Sequence, residues 1–172
     1  MKRFQNSKHL YKYVSGIFLI FLFSCHPEEK NISNDPYVFS GISMKDESGQ
    51  DLSIDTNDWK LMEFWDKRER ALFGDRGILP CDTAQFYWAI SAYPNPASAV
   101  LNLWVSKPDS AKYSYRLVDQ NLRVILSKDS VSEKNISLNL TGLNASDSIL
   151  RMYYIFIGDN CQLNGHGDIE IR

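Results

Sequence analysis

The chain is poor in the groups that chemistry most often uses. Three histidines and three cysteines are spread over 172 residues, and neither type falls at a zinc-ligand spacing. No glycine-rich phosphate loop and no nucleophile elbow occurs. Paired carboxylates such as Asp46-Glu47 sit in turn-like sequence, where charge is well solvated, and they lack the spacing of a calcium loop. The longest apolar run, 14–23, is about half of the roughly 20 residues that cross a bilayer as a helix. A basic stripe is also missing. Four of the 19 Lys and Arg lie in the first twelve residues, and the other 15 are outnumbered by 21 Asp and Glu, so a nucleic-acid binder's electrostatic footprint is absent. No catalytic residue, metal site, cofactor or nucleic-acid partner is expected. A small hydrolase would need His166, in the loop-like Gly165-His166-Gly167-Asp168, to meet a nucleophile.

At the start there is an address. Lys2, Arg3, Lys8 and Lys12 precede the apolar run, no acidic residue comes before Glu28, and Ser24 is a small residue directly before Cys25. Leu22-Phe23-Ser24-Cys25 resembles the lipobox of a bacterial lipoprotein signal. That resemblance implies removal of the signal peptide 1–24 and acylation of Cys25. Each buried methylene of the acyl chains contributes about 0.8 kcal/mol, enough together for a stable membrane anchor. Cleavage leaves 172 − 24 = 148 residues with a formal charge of 15 − 21 = −6, enough for one domain, or a small one with an extension. With Cys25 used by the anchor, Cys81 and Cys161 remain in an exported chain, where disulfides persist. A bridge between them is expected, two free buried thiols being the alternative.

Residues 25–35 are polar and contain Pro27, which marks a flexible tether. The acidic Glu28-Glu29 is similar to surface-export tags of some outer-membrane lipoproteins. Residues 36–85 read as an N-terminal extension. A hairpin is expected over 37–52 with its turn at 46–49. The helical stretch is 55–73, with Asp66 as N-cap, Glu69 completing a capping box and Gly74 as C-cap. Trp59, Leu61, Met62, Phe64 and Trp65 are expected to pack as core, a ligand platform being the alternative. Over 86–172 the pattern is β. Leu101, Leu103 and Val105 alternate with polar or aromatic neighbours, as do Tyr113, Tyr115 and Leu117, and Ile136, Leu138 and Leu140. Short strands at 85–93, 123–127, 153–157 and 168–171 complete the set. The fold class is mainly β, an antiparallel β-sandwich.

The second half also resembles a known family. Tyr93-Pro94-Asn95-Pro96 followed by 100–103, the turn with Asp119, Asn121 and Arg123, the stretch 136–143 ending at Gly142, and the Tyr-rich 153–157 come in the order of the C-terminal sorting domain of bacterial type IX secretion (the Por secretion tail, type A). The resemblance covers about 86–172. It implies an immunoglobulin-like sandwich, the type IX machinery as a partner, an outer-membrane or cell-surface location, and a role in display, adhesion or assembly. Leu122 stands where the family has Gly, so either Asn121 is expected to take up the unusual backbone conformation or the turn is expected to differ. Residues 144–151 look like an insertion. Thr83, Ser110, Ser130 and Ser148 each follow an Asp and precede a small or aliphatic residue. They resemble O-glycosylation sites of exported proteins of the same bacterial group, with ordinary loop chemistry as the alternative. Exposed tryptophans among Trp59, Trp65, Trp88 and Trp104 would instead mark a carbohydrate- or protein-binding surface module.

Overall fold

The computed structural model describes residues 35–61, 63–74, 79–84, 86–143 and 148–172. The expectations for the signal peptide, Cys25 and all but the last residue of the tether lie outside them. Among the described residues no helix is long and apolar enough to cross a membrane.

The expected mainly β fold forms. Its elements are β1 (Met44–Lys45), β2 (Asp51–Ser53), β3 (Lys60–Leu61), α1 (Lys67–Ala71), β4 (Ala89–Tyr93), β5 (Val100–Ser106), β6 (Lys112–Val118), β7 (Val124–Val131), β8 (Asn135–Asn139), β9 (Ser148–Ile157) and β10 (Gln162–Ile171). They build three antiparallel sheets: β1-β2, β4-β5-β8 and β3-β10-β9-β6-β7. Ile90, Leu101, Leu103 and Val105 of the three-stranded sheet share one core with Leu117, Met152, Tyr154 and Phe156 of the five-stranded sheet. Side chains on a strand alternate between faces, so this core takes every second residue of β5.

In β6 and β9 the alternation fails. Val118, Tyr153 and Ile155 are buried although they lie on the other face. Phe39 and Trp65, from the segment before the sandwich, cover that face and form a second cluster with them. Trp65 meets the edge of Tyr153 at 5.4 Å and stacks on Phe73 at 5.5 Å. Ser148–Arg151, expected in an insertion, instead open β9, because they pair with β10 from Asp168 to Ile171. Residues 144–147 lie outside the described residues.

The helix is shorter than expected. The capping box at Asp66 is present: Glu69 N–H donates to Asp66 Oδ1 (2.9 Å), and Asp66 N–H to Glu69 Oε2 (2.6 Å). Upstream, 55–61 is not helical. Asp55 Oδ1 accepts from Asn57 N–H (2.7 Å), a local turn that competes with helix. Trp59 takes a left-handed φ of 56°, and Lys60–Leu61 pairs with β10 at His166 and Gly165. The hairpin is likewise confined to β1 and β2. Its turn is held by Asp46 Oδ1, which accepts from the N–H groups of Ser48 and Gln50, with Gly49 at φ 85°.

Gly165 and Gly167 explain how β3 reaches β10. A Cβ on Gly165 would lie 1.9 Å from Lys60 O, and one on Gly167 would lie 2.2 Å from the Trp59 ring. Tyr154 OH donates to that same Lys60 carbonyl (2.9 Å). Gly165→Ala therefore pushes β3 off the sheet. The expected cost is about 3 kcal/mol, the upper part of the overpacking range. Limited proteolysis is the check: cleavage near Lys60 should speed up, and an unchanged digestion rate would refute the close-approach account.

The disulfide joins Cys81 to Cys161. It fastens a short segment beside β10, where Gln162 N–H donates to Leu79 O (2.8 Å) and Cys81 N–H to Gln162 O (3.2 Å).

At the β6–β7 turn the expected role of Asn121 is corrected: Leu122 itself takes the left-handed conformation, at φ 60°. Asp119 Oδ1 accepts from the N–H groups of Asn121 and Arg123 (both 2.9 Å), which fixes the turn. The Leu122 side chain, half-buried, packs on the Phe39–Trp65 cluster. A branched residue at positive φ costs about 1–2 kcal/mol, and packing offsets it here. Leu122→Gly should therefore be nearly neutral, while Leu122→Ala, which keeps the strain and loses the packing, should lose about 1–2 kcal/mol. Urea melts showing the reverse order would contradict this.

Candidate functional site

The residues singled out by the sorting-domain resemblance fall in three places. Tyr93 to Pro96 forms the corner between β4 and β5. Asp119, Asn121 and Arg123 make the β6–β7 turn, and Gly142, at φ 84°, follows β8. Asn95 is fully buried. Its amide donates to Ser43 O (2.8 Å) and Asp168 O (2.9 Å), and its side-chain oxygen accepts from Glu170 N–H (3.0 Å). Its own backbone exchanges two hydrogen bonds with Lys45 (both 2.9 Å). One side chain thus ties the β1–β2 hairpin, the Pro-flanked corner and β10 together.

Asp58 lies in the same layer. Its carboxylate accepts from the backbone N–H groups of Ser43 (2.7 Å), Trp59 (3.1 Å) and Asp168 (2.8 Å). Beside it Asp168 makes two bonds to Arg151, at 2.6 and 2.8 Å. Burial pushes the Asp58 carboxyl up to about 6, and the Asp168 charge adds to this, while its N–H donors pull the other way. The folded protein therefore holds this proton more tightly than the unfolded chain. The group's contribution to stability is full below the ordinary value of 3.8 and fades as pH rises through about 6. Carboxyl carbon NMR should show Asp58 titrating near 6; a midpoint below 4 would show that the N–H donors win.

His166 is not in a loop. It lies in β10, opposite Tyr153 and Lys60, with most of its side chain covered and Nδ1 facing the Glu63 carboxylate. Flanking glycines mimic a loop in sequence, but here they make room for Lys60 and Trp59. The Cys161 sulfur is committed to the disulfide. Among the described residues no group of three or more His, Cys, Asp or Glu is placed to hold a metal ion. Thr83 and Ser110 lie on exposed bends, Ser130 is exposed in β7, and Ser148 opens β9 half-buried.

The tryptophans divide. Trp65 and Trp88 are buried, Trp59 is half-buried, and Trp104 is 42% exposed. Trp104 belongs to the outward face of the three-stranded sheet. Across that face Ser91, Trp104 and Asn135 stand in register, as do Tyr93, Asn102 and Ser137. Ser137 Oγ donates to Asn102 Oδ1 (2.6 Å). Between this face and the hairpin lies a cleft of about 470 Å³, within the size range of small-ligand sites. Trp104, Tyr87, Tyr93 and Trp59 give its aromatic lining, and Lys45, Asp51 and Asp55 line the hairpin side. Tyr87 is 73% exposed. The hairpin turn closes on Tyr93 at Gly49, where an added Cβ would lie 3.4 Å from the ring. Lys45 and Asp51 form an ion pair on the rim.

Sequence reasoning named Trp104 but missed Tyr87, Lys45 and Asp51. A usable signal was present. Outward positions of a half-solvated sheet are normally polar, yet here Tyr93 and Trp104 stand among Ala89, Ser91, Asn102, Asn135 and Ser137. No family model, curated protein or solved structure matches the chain.

Proposed function

We propose that this chain is a non-enzymatic, lipid-anchored protein of the bacterial envelope whose β-sandwich presents a binding cleft at the cell surface, in display, adhesion or assembly. The observation that carries the binding role is the aromatic cleft: Trp104 and Tyr87 remain uncovered beside a hairpin that Asn95 holds in place. The leader and Cys25 supply the anchor, by their resemblance to a lipoprotein signal. The strand order supports the immunoglobulin-like reading. With β4 taken as strand A, β4-β5-β8 corresponds to A-B-E and β10-β9-β6-β7 to G-F-C-C′.

The ties between the two halves of the chain favour residues 86–172 as a retained module that resembles a sorting domain. Its motif residue Asn95 bonds to Ser43, outside that stretch, so removing the domain would dismantle the hairpin as well. Intact-mass measurement of the membrane-bound protein tests the reading. Expected are loss of residues 1–24, an acylated Cys25 and a chain running through Arg172, with any glycan on Thr83, Ser110, Ser130 or Ser148 read in the same spectrum. An uncleaved Met1 or an unmodified N-terminus would overturn the anchor. Protease shaving of intact cells, with and without a working type IX machinery, tests the surface location and its route.

A further inference from the structure

We infer that the cleft takes a neutral glycan, bound by stacking on Trp104 and Tyr87 and by hydrogen bonds from the hairpin rim. This rests on the binding role proposed above and names its ligand class.

Charge on the wall that faces the ligand is the first consideration. The outward residues of the three-stranded sheet that line the cleft are Ala89, Ser91, Tyr93 and Trp104, none of them ionised. An anionic ligand would find no unpaired cation there, because Lys45 on the rim is already paired with Asp51. A cationic ligand would have to compete for carboxylates in use. Asp51 holds Lys45, Asp58 accepts three N–H groups, and Asp55 Oδ1 accepts from Asn57. Breaking such pairs leaves charge uncompensated, which is costly where water is partly excluded.

Hydroxyl groups suit this surface better, since each one donates and accepts. The Lys45–Asp51 pair offers a donor and an acceptor side by side with no net charge, a match for two neighbouring hydroxyls. The exposed ring faces supply the other half. An aromatic face carries partial negative charge and attracts the slightly positive C–H groups of a flat apolar surface, which a pyranose ring presents on one side. Ala89 and Ser91 are small, and they leave a depression between Tyr87, Tyr93 and Trp104 in which one ring can lie. A peptide partner would call for a larger apolar patch, whereas this cleft sets the hydroxyls of Ser43, Ser48 and Ser91 among its rings.

The test is native affinity electrophoresis, in detergent, of the protein as isolated from cells. Gels contain a β-1,3-glucan, a xylan, a mannan or amylose as neutral probes, and heparin or polylysine as charged ones. At least one neutral polysaccharide should retard the protein. Trp104→Ala and Tyr87→Ala should each weaken that retardation at least tenfold with the thermal midpoint unchanged, and Trp104→Phe should keep most of it. If Trp104→Ala lowers the midpoint, Tyr87→Ala and Trp104→Phe decide alone, both altering a surface ring. No retardation by any neutral probe, retardation by a charged probe only, or neutral retardation that survives both alanine variants would each overturn the inference. The acylated mass of Cys25 is read separately. A failed gel with an acylated Cys25 removes the glycan and leaves the anchor; an unacylated Cys25 with specific retardation does the opposite.

Discussion

Replacing Asn95 by alanine should lower the unfolding free energy by about 5 kcal/mol, seen as a large drop in the urea midpoint. Two buried carbonyls, of Ser43 and Asp168, and the partly buried N–H of Glu170 lose their bonds at once. Each buried polar group left unsatisfied costs about 1–3 kcal/mol, and Asn95 has no solvent exposure through which water could substitute. Asn95→Asp separates bonding from size. It keeps the volume but points a carboxylate at two carbonyl oxygens, close to the buried Asp168, so it should do no better than alanine. A loss below about 1 kcal/mol in both variants would mean that the hairpin and corner hold together without this side chain. The effect should also reach the cleft, because Lys45 lies on the strand that Asn95 fastens.

The second large effect concerns the disulfide. Cys81→Ser with Cys161→Ser should cost on the order of 4 kcal/mol, since the bridge spans a sequence separation of 80 and a loop of that length carries a large closure entropy in the unfolded chain. The native packing changes little. Cys81 is nearly covered, and the pairing of β10 with β9 does not depend on the bridge. The loss should therefore appear in the denaturation midpoint, with near-native strand content retained below it. A midpoint that reducing agent leaves unmoved would show that the thiols hold no bond in the protein.

Where the deciding forces were local, the sequence could be read. The alternation of Leu101, Leu103 and Val105 specified a strand with one dry face, and that is how β5 lies. Asp66 and Glu69 formed the capping box that their spacing implied. Cys81 and Cys161 were left as a pair once Cys25 was assigned elsewhere. Where partners came from far along the chain, local sequence misled. Gly165-His166-Gly167 has loop composition, yet it forms the centre of β10, because Lys60 and Trp59 approach too closely for any Cβ. Leu122 looked unfit for a left-handed turn, and only the cluster around Phe39 and Trp65 explains its presence. Asn95 announced a stiff corner between two prolines but gave no hint of Ser43 or Asp168. The cleft was hidden for the same reason: Tyr87, Trp104 and Lys45 come from three separate stretches, and only the folded chain brings them together.

β10 reaches far back along the chain. Asp168 N–H reaches Asp58 across 110 positions, and Asn164 reaches the Glu63 carbonyl across 101. Such long loops must close before their contacts return any energy. Until β10 arrives, β3 has no strand to pair with, and Asn95 lacks two of its three side-chain partners. A chain emerging from a ribosome can pair β4-β5-β8 and β9-β6-β7 before β10 exists, but β3 then has no strand edge to dock on. The last strand therefore completes the molecule by seating β3 and closing the Asn95 network in one step.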